Sequence, residues 1–234
     1  MELGGADAFV VLKDADMDKT VKWAVFGRHW NAGQVCVSSK RMIIDAAVYD
    51  EFLTKYTKGV EELVAGDPMD PKTTLAPLSS RTAADDVRKQ IAEAVAHGAT
   101  ATEVGPEVPK QGAFVQPTIL TNVTPDNPAY YQEFFGPVSM IIKARDEADA
   151  IAIANDSPFG LGGSVFTRDE ERGYKVAEQI STGMVYVNHP TMVKADLIFG
   201  GIRRSGYGRE LLGLGLKEFV NHKLIDVVDI DAPF

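Results

Sequence analysis

The chain carries one cysteine, Cys36, among 234 residues, so it cannot close a disulfide within itself. A reducing compartment fits that scarcity, and the cytoplasm is the expected location. Long apolar runs are missing too: none approaches the roughly 20 residues that a membrane-crossing helix needs. The start, Met-Glu-Leu-Gly-Gly, has neither the basic nor the apolar region of an export signal. Positive charge is in deficit, with 24 Lys and Arg against 33 Asp and Glu and a net charge of −9. No broad basic field exists to neutralise a phosphate backbone or an anionic membrane, so neither is expected as a partner. The four histidines, His29, His97, His189 and His222, fall at none of the spacings of a metal centre, and no metal is expected. The dinucleotide and P-loop glycine fingerprints are absent as well. Gly160-Leu-Gly-Gly163 and Gly206-Tyr-Gly208 read as turn or packing glycines.

What is present is enough for a sizeable core, with 45% hydrophobic residues. Met17, Val21, Ala24 and Val25 recur at helical spacing within 16–30, and Asn31-Ala-Gly33 breaks the run. A short buried strand at 41–45 leads to a helix at 49–64, with Phe52, Leu53, Tyr56, Val60 and Leu63 on one face. Further helices are expected at 81–97, 147–155 and 170–180, and strands at 100–104, 138–143, 163–166 and 184–187. Six prolines make 105–137 the least regular stretch. This alternation predicts an α/β fold, a mostly parallel sheet covered by helices. The stretch 224–230 is apolar on both faces and reads as a terminal edge strand that wants a partner.

Two short glycine-bearing turns hold the chemistry: Glu2-Leu-Gly-Gly5 offers a carboxylate and Gly33-Gln-Val-Cys36 a thiol. Together they supply covalent attack and water activation. Alone, Cys36 reads as a small buried hydrophobe. Glu2 reads as a terminal residue with little to hold it.

Five segments carry more. Glu2-Leu-Gly-Gly5, Asn31-Ala-Gly-Gln-Val-Cys36, Glu133-Phe-Phe-Gly-Pro137, Asn155-Asp-Ser-Pro-Phe-Gly-Leu161 and Phe199-Gly-Gly-x-x-x-Ser-Gly-x-Gly-Arg-Glu210, in this order and spacing, closely resemble the aldehyde dehydrogenase superfamily. The resemblance covers essentially the whole chain but only the later half of a family member. It implies a catalytic domain at 1–219, a C-terminal strand or tail at 220–234 that joins subunits into a homo-oligomer, and an absent N-terminal nucleotide-binding half. It makes Cys36 the nucleophile toward a small-molecule aldehyde and Glu2 the base that activates water. Glu133 would meet the ribose of NAD or NADP, Phe135 the nicotinamide, and Trp30 and Phe199 the substrate. Asn188, Arg209 and Glu210 would be structural.

The oxyanion-binding Asn of the family and its nucleotide-binding residues belong to the absent half, so the isolated chain is expected to be inactive. Residues 187–202 look like bacterial succinate-semialdehyde dehydrogenases, for which Lys194, Arg203 and Arg204 are candidate carboxylate donors. Two alternatives stand beside this reading. One is a non-catalytic truncated oligomerisation module that keeps the fold, and the other is a cysteine hydrolase using His29 or His189.

Overall fold

The computed structural model describes residues 1–233. Its strands are β1 (Ala8–Val11), β2 (Arg41–Asp45), β3 (Thr100–Glu103), β4 (Thr118–Thr121), β5 (Val138–Ala144), β6 (Phe159–Gly160), β7 (Gly163–Phe166), β8 (Tyr186–Val187) and β9 (Ile202–Arg203). Seven of them form one sheet in the order β3-β4-β5-β2-β1-β7-β8. All its neighbours run parallel except β3 against β4. β6 and β9 make a separate antiparallel pair.

The helices are α1 (Met17–His29), α2 (Tyr49–Glu61), α3 (Arg81–Ala96), α4 (Glu147–Asn155), α5 (Glu170–Ala177) and α6 (Leu212–Lys217). Four of them open on a side-chain cap: Asp16 accepts from the Lys19 N–H, Ser80 from Ala83, Asp146 from Asp149 and Asp169 from Arg172. Each such cap is worth about 1 kcal/mol.

Alternation along the central strands sorts the core. Phe9 and Val11 of β1, with Met42 and Ile44 of β2, pack against Val21 and Ala24 of α1 and Phe52 and Tyr56 of α2. Ala8, Val10 and Ile43 face the other way, onto Ala150 and Ala154 of α4 and Val176 of α5. A third cluster joins Leu120, Val138 and Met140 to α3 through Ala84 and Val87. Both faces of the sheet are therefore covered, as parallel sheets require. Full burial of each large side chain contributes about 1.5–3 kcal/mol.

The helices and strands expected up to residue 187 form, several of them with shorter ends and β5 with one residue more. The second helix stops at Glu61 rather than 64, α5 at Ala177 rather than 180, and the strand expected at 184–187 keeps only Tyr186–Val187. Four strands had not been foreseen: β1, β4 inside the proline-rich stretch, and the two-residue pair β6 and β9. The terminal strand expected at 224–230 is not formed: among the described residues nothing pairs with it. Leu224, Val227 and Ile230 are 89%, 90% and 97% exposed. Residue 234, the last of the expected tail, lies outside the described residues.

Candidate active site

The functional motifs gather at one end of the sheet. Gly4 and Gly5 precede β1, Cys36 precedes β2, Glu133 to Pro137 precede β5, and Leu161 and Gly162 precede β7. These four strands are neighbours, in the order β5-β2-β1-β7, so loops far apart in sequence become adjacent. They meet at the N-terminal ends of the parallel strands, the reverse of the usual placement of ligands in open α/β sheets.

Two buried cations hold the loops together. Arg28, at the end of α1, donates from Nε to the Val138 carbonyl (2.6 Å), from Nη1 to Ser38 Oγ (2.5 Å) and the Gly33 carbonyl (3.4 Å), and from Nη2 to the Phe134 carbonyl (2.9 Å) and that of Gly136. It thereby ties the cysteine turn to the Glu133–Pro137 segment. Lys40, 2% exposed, donates from Nζ to the carbonyls of Val35 (2.7 Å) and Cys36 (2.8 Å), and lies 3.2 Å from Glu133 Oε1. The same Glu133 oxygen accepts from the Gly5 N–H at 3.0 Å. Glycine is needed at 5, where a Cβ would come within 2.6 Å of the Cys36 carbonyl oxygen. The turn before Cys36 is left-handed over three residues, Asn31, Ala32 and Gly33 (φ 52°, 54° and 78°).

A third buried charge is Asp7. Its Oδ1 accepts from the Gly162 N–H (3.0 Å), while its Oδ2 has no hydrogen-bond partner. Burial raises its pKa to about 6, against the lowering pull of Lys40 and the Gly162 N–H.

Cys36 is half-buried and packs against the cluster of Val37, Leu161, Met184 and Phe199. Burial pushes its thiol pKa up, the charge of Glu2 adds to the rise, and Lys40 opposes it. Glu2 is exposed but not loose: its backbone bridges to Gly206, and the Leu3 N–H donates to the Ser205 carbonyl (3.0 Å). Partial burial and then the nearby Glu210 raise the Glu2 pKa, which favours a carboxyl that can take up and release a proton.

The remaining candidates fall at different places. Phe135 is exposed, with the Lys40 ammonium 5.8 Å from its ring centroid. Phe199, only 4% exposed, belongs to the cluster that Cys36 packs against and also borders a cleft of about 510 Å³ shared with Glu2 and Glu210. Trp30 is exposed, stacked on Phe26, and lines a separate groove of about 450 Å³ with His29, Leu63 and Pro68. Asn188 accepts from the Thr167 N–H, and Arg209 donates to the Gly201 and Gly208 carbonyls, both structural duties. Arg203 is occupied by the carbonyls of Asn155 and Ser157, leaving Lys194 and Arg204 as the freer cations.

Neither candidate histidine base is paired with the cysteine. His29 is buried against the Val25 carbonyl with its pKa pushed down to about 3, and His189 bonds the Pro190 carbonyl. Among the described residues no cluster of three or more His, Cys, Asp or Glu could hold a metal, and no helix is long and apolar enough to cross a membrane.

Sequence reading missed Arg28, Lys40 and Asp7. The available signal was Lys40 placed directly before a buried strand, Arg41–Asp45, whose middle is the apolar run Met42-Ile-Ile44.

This fold and set of loops define a known class. The aldehyde dehydrogenase family model matches residues 1–225, and the chain belongs to that family. Among curated relatives, a succinate-semialdehyde dehydrogenase [NADP(+)] of Deinococcus radiodurans is 50% identical over 96% of this chain and 47% of its own length. One from Mycobacterium avium is 42% identical over 96% of this chain and 48% of its own. The succinic semialdehyde dehydrogenase of Streptococcus pyogenes, solved in complex with NADP+, superposes with a TM-score of 0.93 at 50% identity, covering 97% of this chain and 50% of that one. The chain therefore spans about half the length of the relatives it matches.

Proposed function

We propose that this chain is the catalytic portion of an NADP+-dependent aldehyde dehydrogenase that oxidises succinate semialdehyde to the dicarboxylate. The observation that carries this is the convergence of the Cys36 turn, the Gly4–Gly5 turn and Glu133 around one buried lysine. Substrate and cofactor are taken from the names of the relatives.

The residues present fit only the nicotinamide end of the cofactor. Glu133 sits beside a backbone that lacks Cβ atoms at Gly4 and Gly5 and keeps a second carboxylate oxygen beyond the one that Gly5 and Lys40 engage, and the exposed Phe135 lies near the same Lys40. When bound, the cofactor supplies a hydride acceptor. Cys36, after losing its proton, adds through Sγ to the aldehyde carbon to give a thiohemiacetal. Departure of the carbon-bound hydrogen as hydride leaves a thioester on Cys36. Glu2 takes a proton from the water that attacks this thioester, releasing the carboxylate and the free thiol. Lys194 and Arg204 would meet the distal carboxylate of the substrate. The exposed 224–230 segment is assigned to a strand completed by another subunit, on the strength of its apolar residues without an intrachain partner.

The test is to assay NADPH formation from succinate semialdehyde by the chain alone and by the chain joined to the N-terminal half of the Deinococcus radiodurans relative. The isolated chain should be inactive and the joined protein active. Cys36→Ala should abolish the rate, and Glu2→Gln should allow one burst of NADPH but slow turnover by about 10²–10⁴. Saturating activity from the chain alone, or full activity of the Cys36→Ala protein, would refute the reading.

A further inference from the structure

Lys40 holds both carbonyls that flank the cysteine, those of residues 35 and 36, from beneath the turn. A trans peptide is planar, with its C=O and N–H pointing in opposite directions. Pulling the Val35 carbonyl inward therefore turns the Cys36 N–H outward, and pulling the Cys36 carbonyl inward turns the Val37 N–H outward. Consistent with this, neither N–H donates to any backbone or side-chain oxygen, although the neighbouring Ser38 and Ser39 N–H groups both do. The Val37 N–H instead favours the thiolate form of Cys36.

We infer that Lys40 is a positioning residue: by clamping two successive carbonyls it aims the Cys36 and Val37 N–H groups at the side of the turn where the sulfur and a carbonyl substrate meet. Its ion pair with Glu133, at 3.2 Å, lies beside the clamp and is separate from the two carbonyl contacts. The charged groups that bear on this site are Glu133 before β5, Asp7 before β1, Arg28 of α1 and, toward the sulfur, Glu2. Lys40 is thus placed to act through backbone orientation rather than by touching substrate, and the clamp also brings a positive charge under the nucleophile.

The inference rests on Cys36 being the nucleophile, but its test does not need turnover. The chain has one cysteine, so isotope-labelled cysteine gives one amide signal and a thiol reagent reports on one site. In the unaltered chain the Cys36 amide should exchange rapidly with solvent although the residue is half-buried. Lys40→Met should shift that signal, protect the amide, and move the midpoint of iodoacetamide labelling against pH upward by about one unit, a tenfold fall in thiolate at neutral pH. Glu133→Gln, which removes the ion pair and leaves both carbonyl contacts, should leave the amide signal near its place.

Slow amide exchange in the unaltered chain would overturn the proposal even if Lys40→Met fails to fold. So would a folded Lys40→Met protein with an unmoved amide and labelling midpoint, or a Glu133→Gln protein that reproduces its changes. If Cys36→Ala left the joined enzyme active while Lys40→Met still moved the amide and the midpoint, the proposed function would fall and the clamp would stand.

Discussion

Replacing Asp7 by Asn should stabilise the protein at neutral pH and lose that advantage in acid. The carboxyl is 3% exposed, one of its oxygens is unpartnered, and burial raises its pKa to about 6 from an ordinary 3.8. The native state thus holds this proton more tightly than the unfolded chain does. Ionisation above pH 6 costs about 3 kcal/mol, and the cost disappears as pH falls below the unfolded value. Asn keeps the oxygen that accepts from the Gly162 N–H and carries no charge to desolvate. The difference in unfolding free energy between Asn and Asp should therefore grow in favour of Asn by about 2 kcal/mol between about pH 4.5 and 7.5. Urea unfolding of both proteins at the two pH values measures it. A difference that stays the same at both would show that Asp7 is not held near its neutral form. One that turns against Asn at pH 7.5 would show that its pairing with Lys40 outweighs desolvation.

Three other perturbations follow from the same geometry. Arg28→Met should cost about 3–5 kcal/mol in unfolding free energy, because it removes the donor for four buried carbonyls and for Ser38; a loss under about 1 kcal/mol would refute that role. Gly33→Ala should cost about 1–3 kcal/mol, since its Cβ would run into the Gly136 backbone. The positive φ is a smaller obstacle, as Ala32 already adopts one, and an unchanged urea midpoint would show that the Glu133–Pro137 loop yields. Deleting 220–234 should leave the unfolding free energy within about 0.5 kcal/mol while reducing self-association in sedimentation, because none of the core clusters reaches into that stretch; a large loss would mean that the tail packs on the domain.

The helices were legible because their evidence is local. Asp16, Ser80, Asp146 and Asp169 announce helix starts, and apolar spacing gives the buried face of α2. β1 escaped because Ala-Phe-Val-Val is buried on both sides and shows no alternation, and β4 because it follows Pro117 in a stretch dominated by turn residues. At the site, the motifs carried by glycine and cysteine were visible. Arg28, Lys40 and Asp7 were not, since charged residues ordinarily sit in water and only the packing of distant loops puts these three inside. The segment 224–230 reads as a strand by pattern, but a ladder needs a second edge that pattern alone does not contain.

The position of β1 also sets the order in which the molecule assembles. This early strand is central, and one of its two neighbours is β7, with the Asp7–Gly162 contact spanning 155 residues. During synthesis β1 emerges long before the strand that will cover its open side. Until then its edge is unpaired, and closing the loop to β7 comes late and at an entropic cost. A ribosome-bound chain stalled before Gly163 should therefore expose an adhesive strand edge and depend on a chaperone, and one stalled beyond β8 should not.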